Sequence, residues 1–267
     1  MSALVVVPRA LRVCEHVLTG SLLASVARLA RLLHLQHLWV PAATCWWHRR
    51  LCWILQLQVE VTGVFEPGAL LVANHVSWLD IPTVGAHGTV AFVSKEEIRH
   101  WPIIGGLAQA AGTLFIKRGG NQAADLIEQI GKRIDSGSSV LIFPEGTTGD
   151  GYALRRFYPR LFAAVQANAG AVQPVAIRYG SNAEPDPVAP FIDNDSLAIH
   201  LLRVLRNPGI HVHIAFLPPI DPTGHDRRSM ADVTRAAIAA RLGLGEQPAQ
   251  YVKLPRVQTA SRTSASR

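Results

Sequence analysis

Residues 70–82 read Leu70-Leu71-Val72-Ala73-Asn74-His75-Val76-Ser77-Trp78-Leu79-Asp80-Ile81-Pro82. Four apolar residues make a run of buried-strand length, and the run stops at Asn-His. Asp80 follows His75 by five residues and sits two before Pro82, where a helix can begin. On a continuous helix, five residues turn the chain through about 500° and would leave the two side chains about 140° apart. If His75 closes a strand and Asp80 opens the next helix, the chain folds back and the carboxylate reaches the imidazole. That contact would fix the ring tautomer and leave the second nitrogen free as a base. Ser77-x-x-Asp80 also matches a capping box, so local helix capping accounts for the same carboxylate. At this level both readings stand.

Outward from this stretch, short apolar runs alternate with helical ones. The pattern predicts strands over Val59–Val64, Leu70–Ala73, Val90–Val93, Thr113–Ile116, Val140–Phe143, Val172–Ile177 and His211–Phe216. It predicts helices over Leu79–Gly85, Lys95–Ala110, Gln122–Asp135, Arg160–Ala169, Ser196–Arg206 and Arg227–Arg241. Such alternation implies an α/β domain with helices on the faces of a sheet. We divide the chain into an N-terminal helical segment (1–57), the α/β domain (58–246) and a basic, Ser/Thr-rich tail expected to be disordered (247–267).

The N-terminal segment has a different character. Pro8 and Arg9 interrupt its apolar start, so no cleavable leader is expected. The stretch Leu32–His48 lacks charged residues but contains His34, His37 and Pro41, and falls short of a clear membrane span. At helical spacing Leu22, Val26, Leu29 and Leu33 share one face, with Arg28 and Arg31 roughly opposite. Trp46, Trp47 and Trp53 stand beside Arg49 and Arg50, a mixture suited to lipid headgroups. The segment therefore reads as membrane-associated; the alternative is an amphipathic helix packed on the protein's own core.

Composition narrows the classes further. The 267 residues are 49% hydrophobic and 17% charged, which excludes a largely disordered chain. The formal charge of +7 calls for an anionic partner. A positive mean hydropathy of +0.19 turns that expectation toward a bilayer or a phosphorylated ligand. Nucleic acid is not expected, because the basic residues are not interleaved with aromatics as on an RNA-binding sheet. Three cysteines without a C-x-x-C pair give neither a disulfide framework nor a zinc site, and no metal is expected.

Two further polar clusters lie in apolar surroundings. Gly112-Thr113-Leu114-Phe115-Ile116-Lys117-Arg118-Gly119-Gly120 delivers two cations into a glycine-rich turn, which suits phosphate binding as well as it suits a solvated strand end. Val140-Leu141-Ile142-Phe143-Pro144-Glu145-Gly146-Thr147-Thr148-Gly149-Asp150-Gly151 carries an apolar strand into a lone carboxylate and three glycines. Glu145 there either orients a ligand or ties loops together through backbone N–H groups.

In this order the clusters resemble the glycerolipid acyltransferases, specifically the lysophosphatidate (1-acylglycerol-3-phosphate) acyltransferases. Asn74-His75-(x)4-Asp80 is similar to the family's N-H-x4-D block. Gly112–Arg118 resembles G-x-x-F-I-x-R, Phe143–Thr147 matches F-P-E-G-T, and Val172–Ile177 resembles the apolar fourth block with its proline. The resemblance implies the glycerol-phosphate acyltransferase fold, with a mixed, largely parallel sheet. It implies His75 as general base and Asp80 as its partner. It assigns Lys117, Arg118, Glu145, Gly146 and Thr147 to the acceptor site, with Asn74, Thr148 and Arg156 in support. The acyl group would come from acyl-CoA or acyl carrier protein, with no cofactor beyond that thioester. A bacterial inner membrane, with the site facing the cytoplasm, would be the setting. Lysophosphatidate is the leading acceptor on this resemblance.

One departure bears on that acceptor. The family commonly places a phosphate-binding Arg after F-P-E-G-T, and here the residue is Thr148. The family's Pro-Phe-Lys-like segment reads Arg156-Phe157-Tyr158, so its cation is also displaced. Arg155, Arg156 and Arg160 are the nearby substitutes. The Thr-Thr-x-Asp-Gly variant also resembles bacterial lyso-ornithine-lipid acyltransferases. A non-catalytic lipid-binding protein on the same fold is the reading from a different class.

Overall fold

Runs that are apolar at every position need cover on both sides, and the sheet supplies it. The computed structural model describes residues 3–33, 35, 39–116, 122–166, 170–181, 184–192 and 195–244. Lys117, Arg118 and the tail from 247 lie outside these. Seven strands, β1 (Leu57–Gly63), β2 (Leu70–Ala73), β3 (Val90–Lys95), β4 (Leu114–Ile116), β5 (Ser139–Ile142), β6 (Val172–Tyr179) and β7 (Ile210–Phe216), form one sheet. Their order is β1-β7-β6-β2-β5-β3-β4. Every neighbouring pair is parallel except β6–β7. All four residues of β2 and all four of β5 are buried, as expected of central parallel strands covered on both faces.

The helices are α1 (Ala3–Leu32), α2 (Val40–Ile54), α3 (Asp80–Gly85), α4 (Glu96–Arg99), α5 (Ile104–Ala110), α6 (Gln122–Asp135), α7 (Ala163–Gln166), α8 (Leu197–Arg206) and α9 (Arg227–Leu242). One face of the sheet, with Leu71, Ala73 and Leu141, packs against Cys52 and Leu55 at the α2 end, Leu79 and Val84 at α3, and Val204 and Leu205 of α8. The other face, with Leu70, Val72 and Ile142, packs against Leu126, Ile130 and Ile134 of α6 and Met230, Ile238 and Leu242 of α9. Each fully buried aliphatic side chain stabilises the fold by about 1.5–3 kcal/mol. The mixed, largely parallel sheet flanked by helices is the expected architecture.

Two predicted helices differ from the observed ones. The run Lys95–Ala110 is broken between α4 and α5. Pro102 disfavours helical geometry at Trp101. Ile103 then adopts φ 67°, and Ile104 N–H donates to the Pro102 carbonyl at 2.7 Å. The run from Arg160 opens as a 3₁₀ turn at Pro159–Phe162 before the short α7, and its last three residues lie outside the described ones.

The stretch Leu32–His48 is likewise not one span. α1 ends at Leu32, and α2 starts at Val40 with Pro41 in its first turn. α1 is inverted relative to a helix of a water-soluble core. Leu11, Leu18, Leu22, Leu29 and Leu33 lie on one face and are between 63% and 71% exposed. The opposite face meets the protein. Arg9 Nη1 donates to the carbonyls of Leu205 and Asn207 at the end of α8, at 2.8 and 2.6 Å. Leaving those carbonyls unpaired would cost about 1–3 kcal/mol. Gly20 touches Trp47 so closely that an added Cβ would fall 2.6 Å from the indole nitrogen. Arg28 Nη2 reaches the Gly106 carbonyl at 3.4 Å. The apolar face is therefore not packed on the protein's own core. By length and composition, Val6–Leu32 is apolar enough to cross a membrane.

Candidate active site

Because β2, β5 and β6 are parallel neighbours, the loops at their C-terminal ends share one edge of the sheet. Asn74 follows β2 and bridges to β6. Its Nδ2 donates to the Ile177 carbonyl at 2.9 Å, and its Oδ1 accepts the Ile177 N–H at 2.8 Å. This pair fixes the point where the chain leaves the sheet. His75 comes next, and the chain folds back into α3, which begins at Asp80.

The fold-back brings His75 Nδ1 to 2.7 Å from Asp80 Oδ2. The Asp80 side chain has no solvent exposure, whereas 20% of the His75 side chain is exposed. Facing a carboxylate, Nδ1 carries the proton. Nε2 makes no hydrogen bond among the described residues and is left as a lone-pair base. The His75 ring stacks on Phe143, at 3.9 Å between centroids and 15° between planes. The capping alternative is realised in half. Asp80 Oδ2 also accepts the N–H groups of Val76 and Ser77, at 2.8 and 3.0 Å, as a capping carboxylate would. The reciprocal bond is absent, because the buried Ser77 hydroxyl has no partner among the described residues. One carboxylate thus organises the turn and holds the imidazole.

Glu145, in the loop after β5, ties that loop to the same turn. Its Oε1 accepts the His75 N–H at 2.8 Å and its Oε2 the Arg155 N–H at 2.9 Å. Of the two readings offered by sequence, the loop-tying one is observed. Burial pushes its carboxyl up to about 6, against the pull of those two N–H donors. Gly146 takes φ 71°, a left-handed conformation that suits glycine. Gly146 and Thr147 are exposed beside Glu145. Thr148 donates its hydroxyl to the Phe191 carbonyl, and the Phe191 N–H donates to the Val76 carbonyl at 3.0 Å. Thr148 therefore joins the 184–192 loop to the edge of the His75 turn. Arg155, Arg156 and Arg160 are all exposed. Lys117 and Arg118 follow β4 but lie outside the described residues. His213 faces Glu60 across β1–β7, at 3.1 Å and away from this edge.

Three contributors were not singled out by sequence. Tyr179, at the end of β6, donates its hydroxyl to Asp80 Oδ1 at 2.6 Å. His200 of α8 accepts the Trp78 indole N–H at 2.9 Å and contacts the Pro190 carbonyl at 3.1 Å. Arg235 of α9 donates to the carbonyls of Leu154 and Arg155, at 3.0 and 3.1 Å. Tyr179, His200 and Arg235 lie 80 or more residues from Asp80, Trp78 and the 154–155 carbonyls, so no local motif points to those contacts.

Known proteins are similar to this chain in sequence and in fold. A family model described as Acyltransferase matches residues 56–178. A lyso-ornithine lipid O-acyltransferase of Pseudomonas aeruginosa is 46% identical over 202 residues, covering 75% of this chain and 78% of that protein. A 1-acyl-sn-glycerol-3-phosphate acyltransferase of Neisseria meningitidis is 31% identical over 175 residues, covering 65% and 69%. Among solved structures, the 1-acyl-sn-glycerophosphate acyltransferase PlsC of Thermotoga maritima aligns with a TM-score of 0.69 over 90% of this chain and 94% of that one. At 20% identity, that match is a likeness of fold.

The Glu145 geometry gives a stability prediction. Its folded-state pKa of about 6 lies above its ordinary value of 4.5, so the folded protein holds the proton more tightly than the unfolded chain. Its contribution is then greatest below 4.5 and declines as pH rises through about 6. Thermal denaturation across that window should show a decline that Glu145→Gln removes. An identical pH profile in the variant would contradict the assignment.

Proposed function

We propose a reaction from one premise: this chain belongs to the acyltransferase family. It moves an acyl group from a thioester to the free hydroxyl of a lysolipid. The observation that carries this reading is the His75 Nδ1–Asp80 Oδ2 contact, which leaves Nε2 available to the acceptor. Nε2 takes the proton of the lysolipid hydroxyl as its oxygen attacks the thioester carbonyl carbon. The Asp80 carboxylate stabilises the resulting imidazolium. The C–O ester bond forms, the C–S bond breaks, and His75 returns the proton to the leaving thiolate. General-base assistance of this kind is worth about 10²–10⁴-fold in rate. The donor is acyl-CoA or the acylated form of acyl carrier protein, and no further cofactor takes part.

For the acceptor we favour lyso-ornithine lipid. The relative with that name is 46% identical, and Thr148 donates to a main-chain carbonyl rather than offering a cation to phosphate. Lysophosphatidate is the second reading, supported by the Neisseria relative and by the exposed Arg155, Arg156 and Arg160. Gly146 and Thr147, exposed beside Glu145, line the acceptor side, with Lys117 and Arg118 assigned to the headgroup.

The membrane is the partner we assign to residues 1–57, with 58–246 as the acyl-transfer unit. α1 is tied to the domain at Arg9 and again at Arg28, about 28 Å apart along the helix. A helix held lengthwise in this way supports lying along one leaflet with its leucines in the lipid. The cytoplasmic face of a bacterial inner membrane would supply both the lipid and the thioester.

Two measurements test these readings. His75→Ala should lower acyl transfer by about 10²–10⁴-fold while the fold is kept, and the wild type should turn over lyso-ornithine lipid in preference to lysophosphatidate. Activity retained in the variant would sink the proposed base, and the opposite preference would reverse the acceptor. Replacing Leu22 and Leu29 together with Glu should abolish co-sedimentation with anionic phospholipid vesicles without lowering Tm; unchanged sedimentation would contradict the surface reading of α1.

A further inference from the structure

We propose that Tyr179 is a positioning residue for the His75–Asp80 pair: its phenol O–H holds Asp80 Oδ1 and so sets both the carboxylate's rotamer and the basicity of the imidazole. The proposal rests on the reading of His75 as the base. Its origin is an asymmetry among the donors to Asp80. Oδ2 receives three of them, from His75, Val76 and Ser77, all within the turn that Asp80 itself closes. Those donors move with the turn and cannot register it against the sheet. Tyr179 stands at the end of β6, which is bonded to β2 on one side and β7 on the other. Its hydroxyl is the one donor to Asp80 from the sheet among the described residues. A tether on Oδ1 opposes rotation of the carboxylate and keeps Oδ2 toward Nδ1.

The phenol is suited to permanent donation. It is fully buried, and burial together with the Asp80 charge pushes its pKa well above the ordinary tyrosine range. It therefore remains protonated at any pH at which His75 can act. The other groups facing this pair are few. Cys52 of α2 lies near Tyr179, and burial pushes its thiol up to about 12, so it stays neutral. The Thr83 hydroxyl is within hydrogen-bonding reach of the Leu79 and Asp80 carbonyls, at 2.9 and 3.0 Å, and of the Tyr179 phenol. Glu145 faces the His75 main chain and also receives the Arg155 N–H. Among the described residues no cation pairs with Asp80 other than His75. The phenol is thus the principal outside influence on the Asp80 charge.

The sign follows from that. A donor on Oδ1 disperses the carboxylate's negative charge and weakens its hold on an imidazolium. His75 serves as a base only when neutral, so protonation of the ring ends turnover on the low-pH side of the rate profile. Removing the donor should move that limb to higher pH.

The test is the pH dependence of kcat and kcat/KM for Tyr179→Phe, which keeps the buried ring. We expect kcat to fall about ten-fold, KM for both substrates to hold, and the low-pH limb to rise by roughly 0.5–1 unit. A limb at the wild-type position overturns the proposal, even if kcat or Tm falls. Should the variant not fold, 3-fluorotyrosine at position 179 carries the test. It is a more acidic phenol of nearly the same shape and should move the limb to lower pH; an unmoved limb overturns the proposal. Turnover that survives His75→Ala would instead refute the underlying base assignment.

Discussion

A carboxylate shut away from solvent must find its donors inside the protein or lose its charge. Asp80 finds four: two main-chain N–H groups of its own turn, one imidazole and one phenol. Those bonds dictate the path between β2 and α3. Satisfying Oδ2 from Val76 and Ser77 requires the chain to reverse within five residues, and the reversal sets His75 beside the carboxylate. A helix running straight through residues 75–80 would hold the two side chains on different faces. The same electrostatic demand therefore shapes the turn and prepares the base.

The remaining contacts keep that turn at the sheet edge. Asn74 fastens its start to β6, Glu145 receives the His75 N–H from the loop after β5, and Phe191 receives the Thr148 hydroxyl while donating to Val76. These partners come from β6, from the loop after β5 and from the loop after β6. Parallel strands make this economical, because β2, β5 and β6 all end on one side. A loose loop would let the imidazole wander, and a misplacement of about 1 Å can cost on the order of 100-fold in rate.

Much of this was legible in the sequence because it is local. The apolar run Leu70–Ala73 reads as a buried strand at its observed boundaries, and His75 with Asp80 reads as a pair once the chain reverses between them. Glu145 was identifiable as a lone carboxylate after an apolar strand, with loop-tying as one of its two roles. What stayed hidden depends on long-range packing. Tyr179 ends an apolar strand 99 residues from Asp80, and no spacing rule connects them. The break between α4 and α5 escaped because the run around it keeps its helical pattern, and the Pro102 turn with positive φ at Ile103 overrides that pattern. α1 was legible as an apolar face directed at a membrane, but the contacts that tie its other side to the domain were not. Arg9 reads as a surface residue until it is seen capping the end of α8.

The inversion of α1 links the fold to the chemistry proposed for it. A helix that meets the domain through Val6, Arg9, Ala10, Val13 and Gly20 keeps its exposed leucines for another apolar phase, where a lysolipid would reside. Placing acceptor and base together then depends on the state of the imidazole at the sheet edge. The most direct measurement is ¹⁵N NMR of the His75 ring in the folded protein, at a pH where the ring is neutral. The account predicts a neutral tautomer with the proton on Nδ1 and a bare Nε2, and loss of that tautomer preference in Asp80→Asn. A proton resident on Nε2 in the wild-type protein would contradict it.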